Sequence, residues 1–269
     1  MFLLVAGLIG KADGLLTRML ASARNLLVSA PRTFQLLRWV HQSVHSVRDV
    51  RLNTARLAFS LSVPLAFDHI IERAYKIAST RDMKVDSNYE VTHPDRAVTT
   101  ALELTLELDR DFNPSLLHSV QDVCSLANDP TFAATLTSVP RKPQEIFEIF
   151  LENTMMPLCE KLTASRYFSV DFFQTALRFY HLRPTLNAAR GLQDQSYNLL
   201  TTILRLPQEL CPMRLRELAP LQAYLNACQL ILSSRKAATS VSRATWDDLC
   251  AKLFTAPDEP FTAFSINED

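Results

Sequence analysis

Glycine is scarce in this chain, and its scarcity restricts the folds that the chain can adopt. The 269 residues include four glycines, namely Gly7, Gly10, Gly14 and Gly191, whereas average usage is about 7%. Tight hairpins need glycine for positive φ, and phosphate-cradling loops need it for close backbone approach. The sequence therefore argues against a turn-rich β fold and against a nucleotide-binding loop.

Apolar residues recur at a helical period along most of the chain. A spacing near 3.6 residues is typical of helices that bury one face. The pattern occupies residues 15–27, 34–47, 146–162, 170–180, 199–204 and 215–232. Apolar residues make up 48% of the chain, which is enough for a sizeable core. We predict an all-α protein, an irregular multi-helix bundle or array of about eight to ten helices.

Several residue pairs predict where helices begin. Asn113 precedes Pro114, and Asp129 precedes Pro130, so each pair places a capping side chain before a proline that the first helical position tolerates. Thr245 with Asp248 three residues later resembles a capping box, with aspartate in place of the usual glutamate. It predicts a helix start at Thr245.

One segment has a strand-like pattern. Four apolar residues alternate with their neighbours just before Pro64: Leu57, Phe59, Leu61 and Val63. Alternation favours a strand, but no partner strand is evident. We therefore predict a helix that is apolar on more than one face and that continues, with a kink, into residues 65–77.

The charges are unevenly distributed and suggest three segments. Residues 1–60 hold eight Lys or Arg and two acids, and the polar stretch 80–94 resembles a loop. We predict a basic amphipathic helical head at residues 1–79, a helical body at 95–255 and an acidic extended tail at 256–269. The head and the acid-rich middle suggest separate contact surfaces. The net charge of +0 argues against a nucleic-acid partner.

The basic head allows three interpretations. Its arginine-rich, serine-containing and acid-poor composition is typical of a mitochondrial targeting segment. The same pattern suits helices that lie on an anionic membrane, in which case residues 1–77 would contact lipid. The third interpretation is that these are simply the first helices of the core, with arginine on the outside. No run of about 18 apolar residues predicts a membrane-spanning helix.

Two histidine groups are candidate metal or proton-transfer sites, and both are more typical of ordinary helix surface. His41 and His45 share a helix face, but the sequence places no glutamate between them as zinc proteases require. Asp68, His69 and Glu72 could bind a metal or transfer protons. They are interpreted instead as an exposed polar stripe with local ion pairs.

An acidic run on a predicted helix is interpreted as a surface for a basic partner or as solvated surface. It comprises Glu103, Glu107, Asp109 and Asp111. Because no Glu-x-x-His motif accompanies it, a carboxylate-bridged metal site is not predicted.

The cysteines indicate neither a disulfide framework nor a zinc cluster. They are Cys124, Cys159, Cys211, Cys228 and Cys250. Their number is odd, and no pair has Cys-x-x-Cys spacing. We predict buried or half-buried free thiols in a reducing compartment.

These patterns carry no catalytic residue, cofactor-binding residue or metal ligand, and no cofactor is expected. We expect a non-catalytic helical interaction protein, an accessory or scaffold subunit whose partners are other protein subunits. An intracellular location is expected, with a mitochondrial, membrane-associated assembly as the more specific form. One alternative is a peripheral membrane protein that acts through its basic N-terminal helices. Another is an all-α enzyme whose site includes Asp68, His69 and Glu72.

Overall fold

The fold is all-α in the part of the chain that the structure describes. This computed structural model describes residues 2–44, 50–79, 93–128 and 215–256, and six isolated positions between 157 and 210. These residues form eight helices and no strand, and 84% of them are helical. The predicted all-α multi-helix fold is confirmed. The predicted helices at 146–162, 170–180 and 199–204 lie outside the described ranges.

The eight helices vary from seven to thirty residues in length. The first four are α1 at Phe2–Leu8, α2 at Asp13–Val28, α3 at Pro31–Ser43 and α4 at Val50–Ser79. The next two are α5 at His93–Leu108 and α6 at Pro114–Asn128. The last two are α7 at Leu215–Ala237 and α8 at Arg243–Lys252.

Two helices, α4 and α7, each contact at least four other described helices. Helix α4 packs against α3, α5, α6 and α8, while α7 packs against α1, α2, α3 and α5. The buried cluster draws on residues before position 80 and after position 93, so these contacts cross the division predicted between head and body. Most of the predicted loop at 80–94, and the tail beyond residue 256, lie outside the described residues.

The segment with the strand-like alternation of apolar residues is part of helix α4. This helix runs unbroken from residue 50 to residue 79 with Pro64 inside it, so the helix prediction is confirmed. All residues from 57 to 67 are buried, because α4 has neighbours on several sides. A helix buried all round has no polar face to mark its period, which is why the sequence suggested a strand.

The described residues of the apolar stripes predicted on α2 and α3 are buried or half-buried, except Leu26, which is 39% exposed. On α2 the buried residues include Leu16, Leu20 and Leu27, and on α3 they include Leu37 and Val40. The apolar faces of these two head helices are therefore already occupied inside the protein.

The predicted helix starts have different outcomes. Helix α6 begins at Pro114, and Oδ1 of Asn113 accepts the N–H of Ser115 at 3.1 Å, which confirms that start. The start at Thr245 is wrong. Helix α8 begins at Arg243, because the extended residue Ser242 accepts the N–H of Thr245 at 3.2 Å. The start at Asp129–Pro130 lies outside the described residues.

Two aromatic residues pack the segment after α8 against α7. Tyr224 and Phe254 are fully buried, with their rings edge to face and the centroids 6.4 Å apart. The hydroxyl of Tyr224 accepts the N–H of Phe254 at 2.9 Å. Burial raises the pKa of Tyr224 well above its ordinary value, so this hydroxyl stays protonated and available for hydrogen bonding at neutral pH.

The described cysteines are free thiols, as predicted. Cys228 and Cys250 are buried, and Cys124 is half-buried. Cys159 and Cys211 lie outside the described residues. Burial raises the pKa of the Cys228 thiol to about 12.

We therefore expect Cys228 to resist alkylation in the native protein. Only the thiolate reacts, and a thiol with a pKa of about 12 is almost wholly protonated at pH 8. Iodoacetamide at about pH 8, followed by peptide mass spectrometry, should leave Cys228 unmodified in native protein and label it fully in urea. Rapid native labelling at Cys228, at the rate of a small thiol, would contradict this burial.

Candidate functional site

An open groove lies where α4 begins, α7 ends and α8 begins. Its volume is about 810 Å³. We call it the arginine groove, and seven of the described residues line it: Val50, Arg51, Arg235, Val241, Arg243, Trp246 and Asp247.

Cations outnumber acids among the described residues that line the arginine groove. Three of these residues are arginines, and one, Asp247, is an acid. Asp247 pairs with Arg243 through its Oδ2 at 3.6 Å from Nε, and the Arg243 side chain is 92% exposed. Such an exposed pair contributes little and competes poorly with a better ligand. Among the described lining residues, arginines outnumber acids by three to one.

Trp246 forms an aromatic wall of the groove. The guanidinium carbon of Arg235 lies 5.7 Å from the centroid of the indole ring, in a cation–π contact that contributes about 0.5–1 kcal/mol. Nε of Arg235 is buried and makes no hydrogen bond within the described part of the chain. The ring therefore orients this guanidinium without neutralising it.

The helix ends add to the positive potential. Helix α8 begins at Arg243, which lines the groove, and helix N-termini carry partial positive charge. The C-terminus of α7 has the opposite sign, but Arg235 and Lys236 occupy its last turn. The arrangement consequently favours an anionic ligand.

Two sets of hydrogen bonds hold the walls of the groove together. The hydroxyl of Thr54 on α4 lies 2.6 Å from the carbonyl oxygen of Cys250 on α8. At the other end of α8, Oδ1 of Asp13 accepts the backbone N–H of Ser242 at 2.9 Å and its hydroxyl at 2.8 Å. The backbone N–H of Ala12 also donates to the carbonyl of Ser240 at 3.0 Å. The start of α2 thus fixes the loop that enters α8.

We expect the Asp13–Ser242 contact to stabilise the fold only while Asp13 is ionised. The Ser242 hydroxyl, the Ser242 N–H and the Thr245 hydroxyl lower the pKa of Asp13 below its ordinary value of 3.8. A carboxyl whose pKa is depressed by folding contributes stability above its unfolded pKa, and that stability is lost as the pH falls through the folded pKa.

The check is the thermal midpoint of wild type and Asp13→Asn between about pH 6 and pH 2.5. Wild type should be the more stable at pH 6, and the difference should shrink below the ordinary pKa of 3.8. Parallel pH profiles for the two proteins would show that this carboxylate contributes nothing.

The lining side chains suit binding better than proton transfer. Guanidinium groups stay protonated at physiological pH and offer up to five donors each. They can bind a carboxylate or phosphate through two parallel hydrogen bonds, but they do not exchange protons with a substrate. Asp247 is the only described lining residue that could act as an acid or a base.

The histidine candidates do not come together in the described structure. His41 is exposed on α3, and His45 lies outside the described residues. His69 is only 3% exposed, so the exposed-stripe interpretation is wrong for it. Asp68 is half-buried, and the side chain of Glu72 is not described. The described residues contain no group of three potential metal ligands.

The acidic run on α5 has contacts inside the protein. Lys236 of α7 donates to Glu107 at 3.0 Å, and Gln229 donates to Glu103 at 3.2 Å. Oδ1 of Asp109 accepts the N–H of Asp111 at 3.0 Å. The basic partner of Glu107 is therefore a lysine of this chain, which leaves less of the run for another molecule than the sequence suggested.

No sequence pattern predicts the arginine groove. Arg51 belongs to the basic head, whereas Arg235, Arg243 and Trp246 lie near the other end of the chain. The short spacing of Arg235, Arg243 and Trp246 was the only sequence signal for a shared site. Arg51 comes beside them only when the chain folds. No family model, no curated protein and no solved structure matches this chain, so its function has to be argued from its own residues.

Proposed function

We propose that this protein is a non-catalytic helical interaction protein, an accessory or scaffold subunit that binds an acidic segment of another protein in the arginine groove. The observation that carries this proposal is the meeting of Arg51, Arg235, Arg243 and Trp246 around one open groove.

The residue types of the groove are those that dominate protein–protein binding energy. Arginine and tryptophan are enriched at interface positions whose truncation weakens binding most. Arg235 is pre-oriented by Trp246, so less side-chain entropy is lost when it binds a carboxylate. Pre-organisation of this kind favours a dedicated binding surface.

The size and the mixed lining favour a peptide segment over a simple anion. A volume of about 810 Å³ is near the upper end of the range for ligand pockets, roughly 300–1,000 Å³. Val50 and Val241 add apolar wall beside the arginines. A segment that carries both acidic and apolar side chains would contact both kinds of surface.

The fluorescence of Trp246 can report binding in the groove directly. The chain has two tryptophans, and the other, Trp39, is buried in the core, so Trp39→Phe leaves Trp246 as the only indole reporter. This variant should be titrated with a peptide rich in Glu, Asp and Leu. The control peptide has Gln and Asn at the acidic positions.

The proposal predicts a saturable fluorescence change with the acidic peptide that weakens as salt is added. The neutral peptide should give none. Equal responses to both peptides, or no response to either, would overturn the proposal. Inorganic phosphate and a single-stranded oligonucleotide complete the titration, and tighter binding of either would show that the groove is not a peptide site.

A further inference from the structure

Exposed apolar side chains are concentrated at the start of the chain. Seven large apolar residues are exposed in the described structure, and six of them lie within residues 2–28: Leu3, Val5, Leu8, Ile9, Leu26 and Val28. Leu8 is 85% exposed, and the seventh, Leu106, is 43% exposed. Clustered exposed apolar residues mark contact surfaces, whereas single ones are ordinary.

The exposed charges of the same residues are all positive. Lys11 and Arg18 are exposed. The only acid in residues 2–28 is Asp13, which is half-buried and accepts two hydrogen bonds from Ser242. Arg24 is half-buried and donates to the carbonyl of Ala256 at 3.0 Å. This part of the surface therefore offers apolar groups and cations to its surroundings, and no exposed anion.

Among the described helices, the main neighbour of α1 is α7. Helix α1 packs against α7, where Ala6 is fully buried and the hydroxyl of Thr239 donates to the carbonyl of Gly7 at 3.2 Å. Leu3 and Leu8 of α1 are exposed, and so is Ile9, which directly follows the helix. No helix in the described ranges has both the length and the apolar character to cross a bilayer, so a lipid contact here would be a surface contact.

We propose that the exposed surface of residues 2–28 binds the surface of an anionic lipid bilayer. Apolar side chains that insert between headgroups, beside cations that face anionic lipid, are the two contributions by which interfacial helices bind membranes. Cations without exposed acids match the negative surface potential of such a membrane. Apart from Leu26, the described residues of the apolar stripes predicted on α2 and α3 are buried or half-buried, so the contact is limited to the side chains that remain exposed.

This contact is separate from the arginine groove and relies on different residues. Its strength should be modest, because a few inserted side chains and two cations give weak, reversible binding. Each cation near an anionic surface strengthens binding about fivefold.

Vesicle flotation of the full chain tests the proposal. The vesicles contain phosphatidylcholine alone or with phosphatidylserine. Wild type should float with the anionic vesicles, and high salt should release it. Leu8→Gln should weaken binding about tenfold, and the double variant Lys11→Gln/Arg18→Gln about 25-fold.

Matched controls come from elsewhere on the surface. Leu106→Gln changes the exposed apolar residue outside the proposed surface, and Arg38→Gln removes an exposed cation of α3. Both should leave flotation unchanged. Binding that is equal on neutral vesicles, absent on anionic ones, or equally weakened by the controls would overturn the proposal.

Sedimentation velocity without lipid distinguishes a protein contact. If wild type self-associates through this surface and Leu8→Gln abolishes the association, the surface is an interface between copies and the lipid proposal is overturned. The groove variant Arg235→Glu/Arg243→Glu should float as wild type does, so the two proposals can fail independently.

Discussion

Replacing Phe254 by alanine is expected to lower the free energy of unfolding by about 3–5 kcal/mol. The side chain is fully buried, and its ring packs edge-on against Tyr224. Truncation removes apolar burial and leaves a cavity between α7 and the segment that follows α8. Urea denaturation followed by far-ultraviolet circular dichroism measures the loss.

The backbone of Phe254 makes a second variant informative. Its φ is 58°, in the left-handed region that side chains with a Cβ disfavour by roughly 1–2 kcal/mol. Phe254→Gly loses the same ring but relieves this strain, partly offset by the greater entropy of glycine in the unfolded chain. We expect Phe254→Gly to be no less stable than Phe254→Ala.

The control is Leu106→Ala, which truncates an apolar residue that is 43% exposed. It should change the free energy of unfolding by less than about 1 kcal/mol. If Phe254→Ala were no more destabilising than this control, the burial of Phe254 would be contradicted. A full effect would show that the end of α8 is integral to the core on which the arginine groove is built.

Apolar periodicity was sufficient to predict the helices that have one buried face. On α2 and α3 a polar face alternates with Leu16, Leu20, Leu37 and Val40, so the period is visible in the sequence. Helix α4 has no such contrast between residues 57 and 67, since all of them are buried. Its helical state followed only from the lack of a partner strand.

Local polar signals were ambiguous where two of them overlap. Ser242 and Thr245 are both good capping residues, and each has a polar residue three positions later. The extended backbone of Ser242 and its contact with Asp13 select the earlier start. That contact joins residues 229 positions apart, so no local pattern could reveal it.

The candidate site depended most on long-range structure. Arg51 joins Arg235 and Arg243 only because the first turn of α4 lies beside the end of α7 and the start of α8. In the sequence, Arg51 was one of eight basic residues of the head. Conversely, His69 resembled an exposed polar residue, and only the packing around α4 reveals its burial.

The double variant Arg235→Glu/Arg243→Glu is expected to weaken binding of the acidic peptide about 100-fold. Each substitution removes an attraction and introduces a repulsion, and exposed charge pairs contribute roughly 0.2–1 kcal/mol each. Four such changes give roughly 0.8–4 kcal/mol. A 100-fold change corresponds to about 2.8 kcal/mol, which lies within this range, because each 1.4 kcal/mol is a tenfold change in affinity. Fluorescence titration of Trp246 in the Trp39→Phe background measures the dissociation constant.

The matched control is Arg18→Glu/Arg38→Glu. Both residues are exposed on α2 and α3, and neither lines the groove. Because two arginines are again replaced by glutamate, the change in net charge is identical. This control should bind the acidic peptide within about threefold of the Trp39→Phe background, because charges beyond the Debye length of about 8 Å are largely screened at physiological salt. Equal losses in both double variants would show that net charge governs binding and would contradict a site at the groove.

A charge-swapped peptide separates lost recognition from a damaged fold. Arg235→Glu also removes the cation–π contact with Trp246, so some local rearrangement is expected along with the charge change. A peptide with lysine at each acidic position should bind the reversed groove more tightly than it binds the original one. Binding of the lysine peptide would show that the groove of the variant is intact and selects peptides by the sign of their charge. If the variant bound neither peptide, the substitutions would have disrupted the structure of the groove.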